Sequence, residues 1–287
     1  MDELKPRNYT AVVSLIIILA GIVLLVIGLI IWHTGGSEKY LKAEDFSITN
    51  QGMDDVTSIN LEIDNGIVRI KRGGDKLDCV VTNAPEGVYA HGIKDNKFYI
   101  EKKTSSFWFA NNGLLNLLAG NKLRPTFEIS IPDKLYDSFS VELGSGELEI
   151  DDIRAKYEKI ESGAGEVNAN NIVAENKLEA DMGAGKQSYS NCEVGELDFD
   201  CGAGETEFSG SISDKVDIDG GVGAIKLTIY GNYNDYDLDI DKGIGGVDIN
   251  KGDTSVGSTK NIPMKIDCGI GEIKLDFVNK NRGEVNS

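Results

Sequence analysis

The sequence predicts an all-β fold: a single-chain β-solenoid with about 19–20 residues per rung, preceded by one transmembrane α-helix. Three observations predict it. A Gly-x-Gly pair recurs seven times, apolar and polar residues alternate on both sides of each pair, and an N-terminal run of two dozen residues carries no charge.

The pairs read "GSG" at 144, "GAG" at 163, 183 and 202, "GVG" at 221 and "GIG" at 243 and 269, spaced 19, 20, 19, 19, 22 and 26 residues apart. A nucleotide fingerprint needs a third glycine for close packing of a helix on a strand. That position holds Glu149, Asn168, Ser188, Glu207, Lys226, Asp248 and Lys274. No pair leads into Lys-Ser or Lys-Thr, which excludes a P-loop as well. Self-similarity at this period is the mark of stacked units, each burying its apolar face against the next.

The columns of the repeat identify the unit. Three residues before the first glycine stand Val141, Ile160, Ala180, Phe199, Ile218, Ile240 and Ile266. Five before stand Phe139, Leu178, Leu197, Val216, Leu238 and Met264. Two residues before the first glycine the residue is always acidic: Glu142, Glu161, Asp181, Asp200, Asp219, Asp241 and Asp267. This period of two is a strand with one face buried. Alternation resumes after the glycines with Leu148, Val167, Thr206, Ile225, Val247 and Ile273, with Gln187 as the exception, followed by Ile150, Ala169, Tyr189, Phe208, Leu227, Ile249 and Leu275. Each rung is therefore strand, glycine corner, strand and a variable return. Glycine suits the corner because it accepts backbone angles closed to other residues and lets the chain approach its neighbour. The residue between the glycines (Ser145, Ala164, Ala184, Ala203, Val222, Ile244, Ile270) is expected to point inward.

An earlier, degenerate copy lies in "INLEIDNGIVRIKRG", with Ile63, Asp64 and Gly66 in the same relative places and Val68 and Ile70 alternating afterwards. Strand-like runs follow in "KLDCVVTN", "NKFYIEKK" and "PTFEISIP". The organisation expected is a short cytoplasmic tail at 1–8, the membrane helix at 9–32, a linker at 33–55, irregular β turns forming a cap at 56–134, the regular solenoid at 135–278 and a polar tail at 279–287.

From Tyr9 to Trp32 there is no charged residue. "AVVSLIIILAGIVLLVIGLII" covers about 31 Å as a helix, matching the bilayer core, and Trp32 stands where an interfacial aromatic belongs. The run is long for the core of a signal peptide, and no Ala-x-Ala site follows. Lys5 and Arg7 precede it and Lys39 and Lys42 follow, so charge leaves the orientation tied. A short tail inside and the large domain outside is the arrangement expected. Ser14, Gly21 and Gly28 share a seven-residue spacing, compatible with helix packing or with the ordinary glycine content of such segments.

Net charge is −18, and residues 1–32 sum to zero, so the part after the apolar run, residues 33–287, carries it all. Such a surface repels nucleic acid and anionic headgroups. The four cysteines do not form a disulfide framework in a domain this large; Cys201 and Cys268 share a column three repeats apart, roughly 14 Å. They read as small buried hydrophobes.

With "FEISIPDKLYDSFSVELGSGELEIDDI" followed by these repeats, the chain resembles the bacterial adhesin-type β-repeat family, also called toastrack domains, over roughly 56–278. The resemblance implies an all-β stack and a membrane-tethered role near cell-envelope stress systems. It brings no catalytic residues.

Two candidate surfaces stand out. The acidic column forms a ladder whose adjacent charges repel by roughly 1 kcal/mol each in water. It is either a row of cation or cationic-ligand sites or a solvated face that keeps the stack soluble and blocks lateral pairing. The stretch 105–120 is uncharged and rich in apolar side chains, with Phe107, Trp108, Phe109, Leu114 and Leu115. It is either a partner or membrane-surface patch or a plug over the open end of the stack. Catalytic chemistry finds little support: His33 lies at the membrane border, His91 has no evident partner, no Gly-x-Ser-x-Gly is present, and the carboxylates are spread along the stack. No cofactor or metal is expected. The function expected is a membrane-tethered, extracytoplasmic interaction or sensing module linked to envelope stress or surface adhesion, with envelope-stress membrane proteins or cell-wall components as partners. A carbohydrate-active β-helix enzyme and a cytoplasm-facing scaffold are the alternatives.

Overall fold

The computed structural model describes residues 43–50, 53–103, 124–254 and 260–278. Among these no helix is long and apolar enough to cross a membrane. The expected helix at 9–32, the loop 105–120 and the tail 279–287 lie outside the described residues.

The strands follow the repeat. β1 (Ala43–Asn50) falls inside the segment read from sequence as a linker. β2 (Ser58–Arg72) is the first complete rung. β3 (Leu77–Pro85), β4 (Tyr89–Lys94), β5 (Lys97–Lys102) and β6 (Thr126–Ile131) are short. β7 (Tyr136–Asp151) and β8 (Arg154–Asn170) are one rung each, and β9 (Val173–Tyr230) runs through three rungs without a break. β10 (Tyr236–Asn250) and β11 (Ile262–Val278) complete the stack.

Rungs stack in parallel register, glycine corner on glycine corner, as Gly146 on Gly165 and Gly165 on Gly185. The spacing explains why the corner admits no side chain. At Gly165, with φ of +133°, a Cβ would stand 2.0 Å from the carbonyl oxygen of Gly146. The residue between the glycines points the other way from the expectation: Ser145, Ala164, Ala184, Ala203, Val222, Ile244 and Ile270 are all exposed. The corner turns its two glycines against the neighbouring rungs, which leaves the intervening side chain on the outer surface.

A second corner escaped the sequence reading. Asp152, Asn171 and Asn191 each sit at positive φ (60°, 56° and 54°), one per rung, where the chain enters the return segment. Asp and Asn tolerate this left-handed conformation better than other side-chain-bearing residues. Beside them Asn170 donates to Asp151 at 2.8 Å, and Asn191 to Asn170 at 3.1 Å, forming an amide ladder across rungs. The return segments contribute Ile153, Ile172, Cys192, Val194 and Ile212 to the core. The core thus lies between the two strands flanking the glycines and the return, with Tyr189, Phe199 and Phe208 packed ring against ring.

The first rung stands two residues out of the register read from sequence. Gly66 pairs with Gly146, the second glycine of its pair, and Glu62 rather than Asp64 pairs with Glu142. Beyond β2 the stack is capped. β5 lies parallel on the first half of β2 and β6 parallel on the second half, while β4 and β3 pair antiparallel to them and β1 lies against β3.

The opposite end breaks chain order. β11 pairs with the last rung of β9, and β10 pairs with β11, so the penultimate rung in sequence is the terminal rung in space. Cys201 and Cys268 are therefore two rungs apart with Gly220 between, on the order of 10 Å, still beyond disulfide reach. All four cysteines are free.

Candidate functional site

The acidic column forms a continuous row on one wall. In spatial order it runs Glu62, Glu142, Glu161, Asp181, Asp200, Asp219, Asp267 and Asp241. Period-two alternation puts these side chains outward, and the parallel register puts each above the next. Glu142, Glu161, Asp181 and Asp200 line one open groove of about 550 Å³, together with Gly144, Gly163, Gly183 and Gly202. The missing side chains at the glycines create the depression beside the carboxylates.

The groove is electrostatically strained. Burial, and then the carboxylates of Glu161, Glu62 and Asp64, push Glu142 above the usual range. Asp181 is also raised, first by burial; Lys159 opposes the shift while Glu179, Glu161 and Asp200 add to it. Asp219 is raised chiefly by burial, with Asp267 and Asp217 contributing against Lys265. Lysines interleave with the row one or two outward columns further from the corner. Lys159 Nζ lies 3.0 Å from Glu161, 2.8 Å from Glu179 and 3.8 Å from Asp181. Lys177 bridges Glu179 and Asp198, Lys215 bridges Glu196 and Asp217, and Lys265 reaches Asp267 at 2.6 Å. The wall beyond the corner repeats the device with Lys186 and Lys226 between Glu205 and Glu207. The sequence reading singled out the carboxylates and passed over these cations, although Lys159, Lys177, Lys215 and Lys265 fall four or six residues before their first glycine.

The interior also holds polar groups: Glu158, Ser162, Gln187 and Thr206 are buried. Gln187 and Thr206, two non-aliphatic members of one column, satisfy each other: the Gln187 amide donates to Thr206 Oγ1 at 3.1 Å and to Cys201 Sγ at 3.0 Å. Tyr189 donates to Gln187 Oε1 at 3.3 Å. Glu158 is different. It occupies the apolar column between Phe139 and Leu178, is 2% exposed, and neither carboxylate oxygen has a hydrogen-bond partner among the described residues. Burial holds its pKa well above the ordinary carboxylate value. The Ser162 hydroxyl, four residues on, is likewise buried without a partner.

Among the described residues no group of three His, Cys, Asp or Glu side chains is placed to hold a metal ion. His91 stacks on Phe46 with ring centroids 4.9 Å apart. Burial raises all four thiols, Cys79 and Cys192 to about 12, so they are poor nucleophiles. The residues Phe107, Trp108, Phe109, Leu114 and Leu115 lie outside the described residues.

The sequence over residues 56–286 matches a family profile, Toastrack DUF4097. The chain belongs to the Toastrack DUF4097 family. Solved structures similar to this Toastrack chain include a candidate cell adhesion protein from Clostridium sporogenes ATCC 15579, at 16% identity and a TM-score of 0.38, covering 83% of this chain and 100% of the other. A candidate adhesin from Bacteroides fragilis NCTC 9343 matches at 14% identity and a TM-score of 0.36, covering 81% and 97%. A candidate lipid-binding protein from Parabacteroides distasonis ATCC 8503 matches at 15% identity and a TM-score of 0.42, covering 83% and 98%. No curated protein matches the chain.

Proposed function

We propose that this Toastrack protein is a non-catalytic interaction module of the cell envelope, tethered to the membrane by residues 9–32 with its repeat body on the extracytoplasmic side. The observation that carries this reading is the groove along the acidic wall. Its carboxylates repeat at rung spacing over four rungs, a geometry suited to an extended or polyvalent cationic partner rather than to one bond in one substrate. The raised Glu142 and Asp181 support it, because the charge of a cation in the groove would offset the desolvation and repulsion that raise them. A role in adhesion or envelope-stress sensing follows from the family resemblance.

The test has two arms. Protease added to intact protoplasts is expected to remove the body and leave the membrane segment; full protection until lysis reverses the topology. Titration of the full chain in detergent with spermine is expected to show binding that weakens about tenfold in the Asp181→Asn/Asp200→Asn variant. Cleavage of cell-surface polysaccharide that this variant abolishes would establish an enzyme instead.

A further inference from the structure

The two ends of the stack are finished differently. The end at β2 is covered by β5 and β6, with antiparallel strands beyond them. At the other end no strand among the described residues pairs with the outer side of β10. Its core-facing Leu238, Ile240, Val247 and Ile249 are only half-buried, while their partners Met264, Ile266, Ile273 and Leu275 on β11 are buried. The outer corner changes as well. Ser145, Ala164, Ala184 and Ala203 give way to Val222, Ile270 and Ile244, consecutive in space, 54%, 49% and 73% exposed. An apolar ridge therefore runs to the free edge.

We propose that β10 is a docking edge that takes one further strand from a protein partner, a segment alternating aliphatic residues with Lys or Arg. The charge pattern selects this occupant. On inner rungs a lysine stands among the carboxylates of its own and the neighbouring rung, as Lys159, Lys177 and Lys215 do. β10 instead presents Asp237, Asp239 and Asp241 at successive outward positions, all exposed and without an ion pair among the described residues. Lys265, the cation beside Asp239, is held by Asp267 of its own strand. A strand that adds the next rung would bury the half-covered column against its aliphatic residues and set its cations beside the aspartates, as the repeat does internally. A second copy fits poorly, because pairing β10 with β10 sets like charges against each other.

The probe is a fluorescent synthetic peptide of alternating Lys and Val residues, added to the full chain in detergent micelles. The expected result is saturable binding, with at least tenfold slower hydrogen exchange at β10 amides on the free edge. Binding is expected to fall at least tenfold in Asp237→Asn/Asp239→Asn/Asp241→Asn and in Ile244→Ser, both substitutions of exposed side chains, and to persist in Asp181→Asn/Asp200→Asn, which separates the edge from the groove. A Glu–Val peptide, and a Lys–Val peptide methylated at alternate backbone nitrogens, are expected not to bind. Equal binding of the methylated peptide, or protection of the acidic wall instead of β10, would overturn the proposal. So would self-association of the free chain that Ile244→Ser abolishes in sedimentation, which would make the occupant a second copy.

Discussion

Replacing Glu158 by Leu should stabilise the protein, and increasingly so as pH rises. In the folded chain this carboxyl is buried between Phe139 and Leu178 without a hydrogen bond among the described residues. Even protonated, an unpartnered buried polar group costs about 1–3 kcal/mol. Ionisation adds to this. In the unfolded chain a glutamate releases its proton near pH ~4.3, whereas burial raises the folded pKa well above that. Between the two values the unfolded state binds fewer protons, so stability falls as pH rises, by up to about 1.4 kcal/mol per pH unit, and levels off above the folded pKa. Glu158→Leu removes both penalties and continues the column of its neighbours. The expected gain at pH 5 is about 1–3 kcal/mol, roughly 2–10 °C in melting temperature for a body of this size, and more at pH 7. Glu158→Gln should remove the pH slope while keeping the unpartnered polar group. Thermal and urea unfolding of the three proteins between pH 4.5 and 8 measures this. If Glu158→Leu unfolds no later than the parent at pH 7 and the pH slope survives in both variants, the carboxyl reaches solvent and the reasoning fails.

Other outcomes follow from the same packing. Gly185→Ala should cost on the order of 3 kcal/mol by urea unfolding, since φ is +137° and the added Cβ would stand 1.9 Å from the Gly165 carbonyl oxygen; exposed Ala184→Ser beside it should be nearly neutral. Deleting residues 260–287 should release β10, although β10 precedes the deletion, because its ladder is made with β11; hydrogen exchange at 236–250 should rise to that of a loop, and retained protection would show that β10 can re-pair with the last rung of β9. Lys159→Ala should destabilise by less than about 1 kcal/mol, as befits a half-exposed pair, and should raise the titration point of Glu179 by carboxyl NMR, because the hydrogen bond from Lys159 is the largest influence holding that carboxyl low.

The repeat itself was legible in the sequence because each rung is a local pattern. Alternation about Gly-x-Gly names the buried residues, the outward carboxylates and the corner, and stacking brings those columns into register whatever the chain does between rungs. Glu158 was passed over, although it stands in the apolar column five residues before the glycine; the structure shows it buried, with no hydrogen-bond partner among the described residues. The direction of the corner residue, from Ser145 to Ile270, was not legible: alternation is broken there, and the glycine conformation decides which way the chain faces. Gly66 was misplaced by two residues because "IDNG" satisfies the column rule in either register; the pairing of Glu62 with Glu142 chose between them.

The order of the last two rungs was beyond the sequence pattern for a deeper reason. All rungs share one ladder geometry, so their columns specify that they stack but not which stacks on which. The only trace is spacing: the last intervals are 22 and 26 residues where the others are 19 or 20, leaving chain to pass over a rung and return. Tertiary packing decided the choice. β11 brings Ile262, Met264, Ile266, Ile273, Leu275 and Phe277 and is buried between two neighbours, while β10, with Asp237, Asp239 and Asp241 exposed and without an ion pair among the described residues, takes the edge, where water solvates charge that the inner position would have to pair.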